Sequence, residues 1–464
     1  SIRSSTRPRN TVARLPNEYD FAMRKLWLSL GTLAFLALAA ALAVAWLNPR
    51  LTKYVEGDAF RVALEKETAK GLHFPQGHFA PIRRIGFLSA ATAGFHATRG
   101  EKAMTKIEAH DVTARFNPLG IFLRRWQLDE LHIASGEVGI QTYEPKPEPS
   151  PSKPWYHVFL PDRVYLKRVW SDPADITWQL AGKPGGFYGG HLQITPHGRD
   201  FEYDLKKATL RSIHLPELPL RHTHLVITKT LLTVETLDLA GGSDGQGLIH
   251  AEGTRGTRDD KSVDFKINFE QLPIREWLPT SWHEHVAGAA AGEMHWRGPD
   301  PKMHSASVQG ALRIAGGRVE GLDFLKKLAA LTKKKSLESL QLTECSAEID
   351  WKNGSGEIKK IAIEDEGKFR IEGNISLRNK SLGGIIQLGV VPEYLKWLLH
   401  AEEVFHHADG GYLWTTVHLS GTPDQPGQDL SPRILDALKE SPSDFLGVIF
   451  REVGEWLEQT LDGE

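Results

Sequence analysis

The stretch Val263–Phe269, VDFKINF, decides how the chain is read. In an extended strand successive side chains point to opposite faces, so Val263, Phe265, Ile267 and Phe269 share one face while Asp264, Lys266 and Asn268 share the other. One face is apolar and the other is hydrated. The same alternation recurs on the N-terminal side at Leu225 and Ile227 and at Leu237 and Leu239. On the C-terminal side it recurs at Ile349 and Trp351, at Phe369 and Ile371, at Ile375 and Leu377, and at Val417 and Leu419. The 43 glycines separate short runs of this kind, which is the punctuation of strands joined by turns. The expected fold class is therefore mainly β.

Helical patterns are few: Val55–Lys70, Leu272–Val286, Leu322–Leu331, Pro392–Phe405 and the C-terminal tail. They are too few to cover so many strands that are apolar on one side only. Two architectures remain, a β-sandwich or a long sheet curled so that its apolar face lines an interior. Toward the N-terminus, twofold patterning at Lys106–Phe116, Trp126–His132, Glu137–Tyr143, Val158–Val169 and Ile176–Leu180 suggests a meander of strands. Tyr143–Pro154, YEPKPEPSPSKP, interrupts it with five prolines and reads as a solvated loop, because proline gives no amide donor to a β-ladder. Lys183–His191, KPGGFYGGH, reads as a hairpin turn, since no helix pattern follows that would make it a phosphate cradle.

Further upstream, Leu26–Leu47 contains no charged residue. At about 1.5 Å per residue this run spans roughly 33 Å as a helix, matching a hydrocarbon core of about 30 Å. Arg3, Arg7, Arg9, Arg14, Arg24 and Lys25 precede it, whereas Arg50, Lys53 and Arg61 follow mixed with Glu56 and Asp58. The positive-inside rule then places the N-terminus in the cytoplasm and the bulk of the chain across the membrane. A cleaved signal peptide ending near Ala43–Ala45 is the alternative, although this run is longer than the usual apolar core of such peptides.

At the other end, Pro442 follows Ser441 at a candidate helix start. From there Phe445, Val448, Ile449, Val453, Trp456, Leu457 and Leu461 recur at helical spacing. Such a stripe either covers the last strand of the sheet or docks on a protein partner. Phe445, Ile449, Val453, Trp456 and Leu457 are the docking candidates.

Composition narrows the chemistry. Lysine plus arginine number 56 against 58 acidic residues, so no global field recommends nucleic acid. Cys345 is the lone cysteine, which excludes an intramolecular disulfide framework and zinc sites built on several thiolates. Histidines cluster at His222 and His224, at His283 and His285 around Glu284, and at His406 and His407 near Asp409. None completes a ligand set at recognisable metal-site spacing. No nucleophile elbow, phosphate loop or dinucleotide fingerprint stands in a suitable context. No catalytic residue, metal or cofactor is expected.

Three stretches carry a family resemblance. Leu119–Ile140 (LGIFLRRWQLDELHIASGEVGI), Leu278–Gly298 (LPTSWHEHVAGAAAGEMHWRG) and the run from Val308 to Trp397, with GALRIAGGRVEGLDFLKKLAAL and VVPEYLKWL, resemble the AsmA family and its C-terminal module. MHWRGPDP at Met294–Pro301 and VHLSGTPDQP at Val417–Pro426 form a small internal echo. The resemblance implies a β-groove protein of the bacterial envelope, anchored in the inner membrane by a single pass and related to bridge-like lipid-transfer proteins. It implies membrane lipids as partners, through their acyl chains, and a part in outer-membrane lipid homeostasis.

The expected organisation is a tail at 1–25, a membrane helix at 26–47, a periplasmic β-groove at 48–306, an AsmA-like C-terminal module at 307–430 and an amphipathic tail at 431–464. Lipid-lining candidates are Leu225, Ile227, Val263, Phe265, Ile267, Phe269, Ile349, Trp351, Phe369, Ile371, Ile375 and Leu377. The alternative function is a scaffold or assembly factor for envelope proteins, whose apolar interior is ordinary core.

Overall fold

The computed structural model describes residues 45–141 and 164–438, apart from short stretches at 103, 123–125, 181–182, 198–199, 214, 243–244, 258–259, 279, 303–304, 379–380, 399 and 423–424. The expected span at 26–47, except its last three residues, lies outside the described residues. So do the N-terminal tail, the proline-rich stretch and the docking candidates at 445–457. Among the described residues no helix is long and apolar enough to cross a membrane.

The chain enters as a helical segment at 45–55 and, after a break at Glu56 and Gly57, continues as α1 (Asp58–Leu72). Strands then follow in a single sheet of 24. The first are β1 (Gly77–Phe79), β2 (Ile82–Gly86), β3 (Ser89–Thr98) and β4 (Met104–Phe116). A four-residue helix α2 (Leu119–Phe122) leads to β5 (Trp126–Gln141), β6 (Val164–Leu166), β7 (Val169–Leu180) and β8 (Lys183–His197). Next come β9 (Asp200–Lys206), β10 (Thr209–Ser212), β11 (Leu215–Ile227), β12 (Leu231–Ala240), β13 (Leu248–Gly256), β14 (Val263–Pro273), β15 (Val286–Gly298) and β16 (Ser307–Glu320). Helix α3 (Asp323–Thr332) precedes β17 (Ser339–Leu342), β18 (Glu344–Lys352), β19 (Ser355–Asp365), β20 (Phe369–Arg378) and β21 (Ser381–Val390). Helix α4 (Ala401–Val404), β22 (His407–Asp409), β23 (Tyr412–Gly421), β24 (Pro426–Gln428) and α5 (Leu430–Leu438) complete the described fold.

The strands cross the sheet nearly in sequence order. Five places along the sheet are each shared by two short strands: β1 with β2, β6 with β7, β9 with β10, β17 with β18, and β22 with β24. The 24 strands therefore fill 19 positions. At about 4.8 Å per position the sheet measures at most about 90 Å across its strands. All ladders are antiparallel except one junction, where β6 and β7 run parallel to β5. A parallel neighbour needs a crossover of a dozen or more residues, and the chain between Gln141 and Val164 supplies that length.

Several local expectations are corrected. Lys183–His191 is the body of β8, not a turn. Gly185 sits so close to Trp178 that a Cβ would stand 2.5 Å from the indole nitrogen, so its glycine serves close packing across the ladder. Leu272–Val286 is not a helix: β14 runs to Pro273, two 3-10 turns follow at Ile274–Trp277 and Thr280–Trp282, and β15 begins at Val286. Prolines 273 and 279 remove the amide donors that a helix there would need. Pro392–Phe405 breaks into a 3-10 turn (Pro392–Leu395) and α4, with His400 in the left-handed region at φ 60° between them. Trp126–His132 and the described part of Glu137–Tyr143, up to Gln141, fuse into the single long strand β5. The helices at α1 and α3 match the expected segments to within a few residues.

Candidate functional site

Antiparallel partners that face each other across a ladder share a side of the sheet, so the register traces each face from strand to strand. One row runs Leu225, Val234, Gly253, Phe265, Trp296, Val308, Trp351, Gly356, Leu377 and Leu382, from β11 to β21. A second runs Leu237, Ala251, Ile267, Met294, Gly310, Ile349, Ile358, Ile375, Gly384 and Leu419. Both rows are apolar or glycine throughout. Ile371 joins Ile363 and Leu388, Phe369 joins Val390, and Phe269 joins Ile249 and Gly292. Ile227 and Val263 belong to a row that also carries Arg255, the one charge in that row. All twelve lining candidates therefore lie on one face.

The same face continues through the parallel junction. Leu131, Ile133 and Val138 of β5 stand beside Val169, Ser171 and Ile176 of β7, and beside Ala114, Val112 and Ile107 of β4. Helices cover it at its two ends. At the start, Phe60 of α1 packs on Ile82 and Ala90, and Ala69 and Phe74 pack on Phe95, Ala109 and Val112. At the far end, Leu395, Leu398, Val404, Phe405, Leu430 and Ile434 cover Ile361, Ile386, Val417 and Leu419. Between these covers, Trp277 packs against the buried clusters that hold Leu239 and Phe269, its indole N–H donating to the Gly241 carbonyl oxygen at 3.3 Å. Phe265, Ile267, Met294, Ile349 and Trp351 remain half-buried.

Glycines on this face sit where neighbouring backbones converge. A Cβ at Gly292 would lie 2.1 Å from the Ala311 carbonyl oxygen, at Gly310 2.3 Å from that of Glu293, and at Gly373 2.3 Å from that of Ile385. Near the β19 irregularity between Ile358 and Ile361, a cavity of about 220 Å³ opens on the face. It is lined by Leu312, Ile314, Cys345, Ala347, Ile358 and Ile375 among others. Burial pushes the Cys345 thiol above its ordinary pKa, so it behaves there as a small apolar side chain.

The opposite face is polar and paired across strands. His222 meets Asp204 at 2.8 Å, His250 meets Asp238 at 2.6 Å and His295 meets Asp264 at 2.6 Å. His224 stands 3.4 Å from Glu202, and His285 bonds the Glu320 carbonyl oxygen at 2.9 Å. Among the described residues no three histidine, cysteine or acidic side chains are grouped to hold a metal ion. Arg370 gathers Glu344, Glu364 and Glu372 at 2.9, 2.6 and 2.6 Å, and Glu364 accepts from the Tyr412 hydroxyl at 2.7 Å. The bond to Glu372, with the charges of Glu364 and Glu344, raises the Arg370 pKa further.

The sequence reading missed Trp296, Met294, Leu312, Ile358, Ile363 and Leu388 as members of the apolar face. In β13, β15 and β16 glycine or alanine holds many of the inward positions, so the alternation of large apolar residues is broken up there. Comparison with protein-family models, with curated proteins and with solved structures finds no match.

Proposed function

We propose that the protein binds lipid and conducts it along the apolar face of its sheet, which curls into a groove, with residues 26–47 anchoring it in the inner membrane of a bacterial envelope. In this reading the main body is periplasmic and contributes to outer-membrane lipid homeostasis, as the AsmA resemblance implies. The observation that carries it is the register: apolar rows pass from strand to strand over most of the sheet, and between the helix-covered ends Phe265, Ile267, Met294, Ile349 and Trp351 stay half-buried. The close backbone approaches at Gly292, Gly310 and Gly373 support a curl toward the same side, because the inner surface of a bent sheet is the crowded one. Acyl chains laid on that floor gain about 0.8 kcal/mol per methylene removed from water, and head groups stay at the wet rim.

Mass spectrometry of lipids extracted from the detergent-purified protein tests the reading, with Ile267→Asp as the probe variant. A conducting groove predicts folded protein with depleted lipid, because a wet-rimmed floor partly solvates the new carboxylate. In a closed core the same carboxylate is buried unpaired and costs several kcal/mol, which unfolds the region. Loss of fold together with loss of lipid would favour the scaffold alternative, in which the helix-covered ends extend to a sealed interior. Cys345 adds a second readout: bound lipid slows its alkylation by an apolar maleimide, and stripping the lipid restores the rate.

A further inference from the structure

The β2–β3 hairpin is fastened to the helical segment 45–55 by one arginine. Arg84 donates from Nη1 to the Asn48 carbonyl oxygen at 2.8 Å, to Asn48 Oδ1 at 2.5 Å and to Thr52 Oγ1 at 2.9 Å, and from Nη2 to the Phe87 carbonyl oxygen at 2.9 Å. Its backbone N–H donates to Glu56 at 3.0 Å. Around this clasp the surface is apolar and, with Arg50, Lys53, Arg83 and Arg84 against Glu56 and Asp58, basic in balance. Ile85 is 60 % exposed, Phe87 45 %, Trp46 60 % and Tyr54 57 %; the Arg50 guanidinium lies 3.6 Å over the Trp46 ring, and Lys53 and Arg83 are exposed. Exposed aromatic and aliphatic side chains interleaved with cations have the composition of a membrane-interface anchor.

Position along the helix sets the depth. Asn48 follows Leu47, the last residue of the apolar run, and Thr52 stands about 6 Å further on at 1.5 Å per residue. The polar layer on each side of a bilayer is about 5–8 Å thick. The guanidinium that grips both residues also grips Phe87, so the hairpin tip falls within that layer.

We propose that the β2–β3 hairpin and the segment 45–55 form a foot seated in the headgroup layer of an anionic bilayer, with Ile85 and Phe87 at the acyl boundary and Arg50, Lys53 and Arg83 on lipid phosphates. The proposal rests on residues 26–47 spanning the membrane. Its consequence is that the apolar face begins at the bilayer surface, since Ile82 and Ala90 of the same hairpin are its first members.

The test uses the full chain with Cys345→Ser, reconstituted into phosphatidylcholine vesicles with or without phosphatidylglycerol. A fluorophore is attached at Phe87→Cys or, as the control, at Lys229→Cys in the exposed turn between β11 and β12. Lipid bearing a nitroxide high on its acyl chain should quench the label at 87 several-fold more than the label at 229, and less strongly without phosphatidylglycerol. Circular dichroism checks that each labelled protein keeps its sheet. Equal quenching at the two sites in protein that floats with alkali-washed vesicles overturns the foot and leaves the span intact, the result expected if a second copy covers the patch instead. Protein that fails to float overturns both. Quenching unaffected by phosphatidylglycerol overturns the assignment to anionic lipid.

Discussion

Asp264 illustrates how the polar face is held. It sits across the ladder from Arg297 and diagonally from His295, whose Nε2 lies 2.6 Å from one carboxylate oxygen, while Arg297 Nε lies 3.4 Å from the other. The bond to His295, helped by the Arg297 charge, holds the Asp264 carboxyl below its ordinary pKa. A carboxylate whose folded pKa is depressed adds stability that is present above its unfolded pKa of about 3.9 and is lost as pH falls through the folded value. Asp264→Asn should therefore be less stable than the parent above about pH 5, and the gap should close as the pH falls below about 4. With Asp264 half exposed, the gap should be no more than about 1 kcal/mol. Thermal melts followed by circular dichroism across that range check it, and a gap that widens in acid would refute the assignment. His222 and His224 were legible in the sequence as a pair but not as cross-strand partners, and His295 was not singled out at all. His295 and Asp264 are 31 residues apart, and only the ladder register brings them together.

At the scale of the element, the alternation in β14 was readable because each strand decides locally which residues share a side. The twelve lining candidates accordingly fell on one face. What could not be read was the neighbour. The parallel step from β5 to β7 depends on a crossover whose path no local pattern specifies, and the glycines of β15 and β16 look like weak strand formers until the facing backbone is known. Gly292 is the sharpest case. A methyl there would meet the Ala311 carbonyl oxygen at 2.1 Å and the Phe269 ring at 2.8 Å, and backbone cannot yield as a long side chain can. Gly292→Ala should cost about 1–3 kcal/mol through overpacking and should weaken protection of the β15–β16 ladder. A melting temperature equal to the parent's would show that the two strands part at little cost, and with it that the face is less crowded than its register implies.

For the molecule as a whole, each strand contacts its neighbours in sequence and little else, so stability adds up along one dimension as in repeat proteins. The Arg370 cluster tests this. It ties β18, β19 and β20 to one another through Glu344, Glu364 and Glu372, and reaches β23 through Tyr412. Arg370→Ala leaves three carboxylates without their shared cation and should destabilise this end by about 1–3 kcal/mol. Hydrogen exchange should then rise from β18 to β23 while β3, β4 and β5 keep their protection; a uniform rise along the chain would instead mark one cooperative unit. The sequential order of the strands has a further consequence. Inserting or deleting one hairpin changes the span by two positions, about 10 Å, and leaves every ladder beyond the splice unchanged. The length of the sheet is thus a tally of hairpins, and the chain is a ruler that can be recut without redesigning its fold.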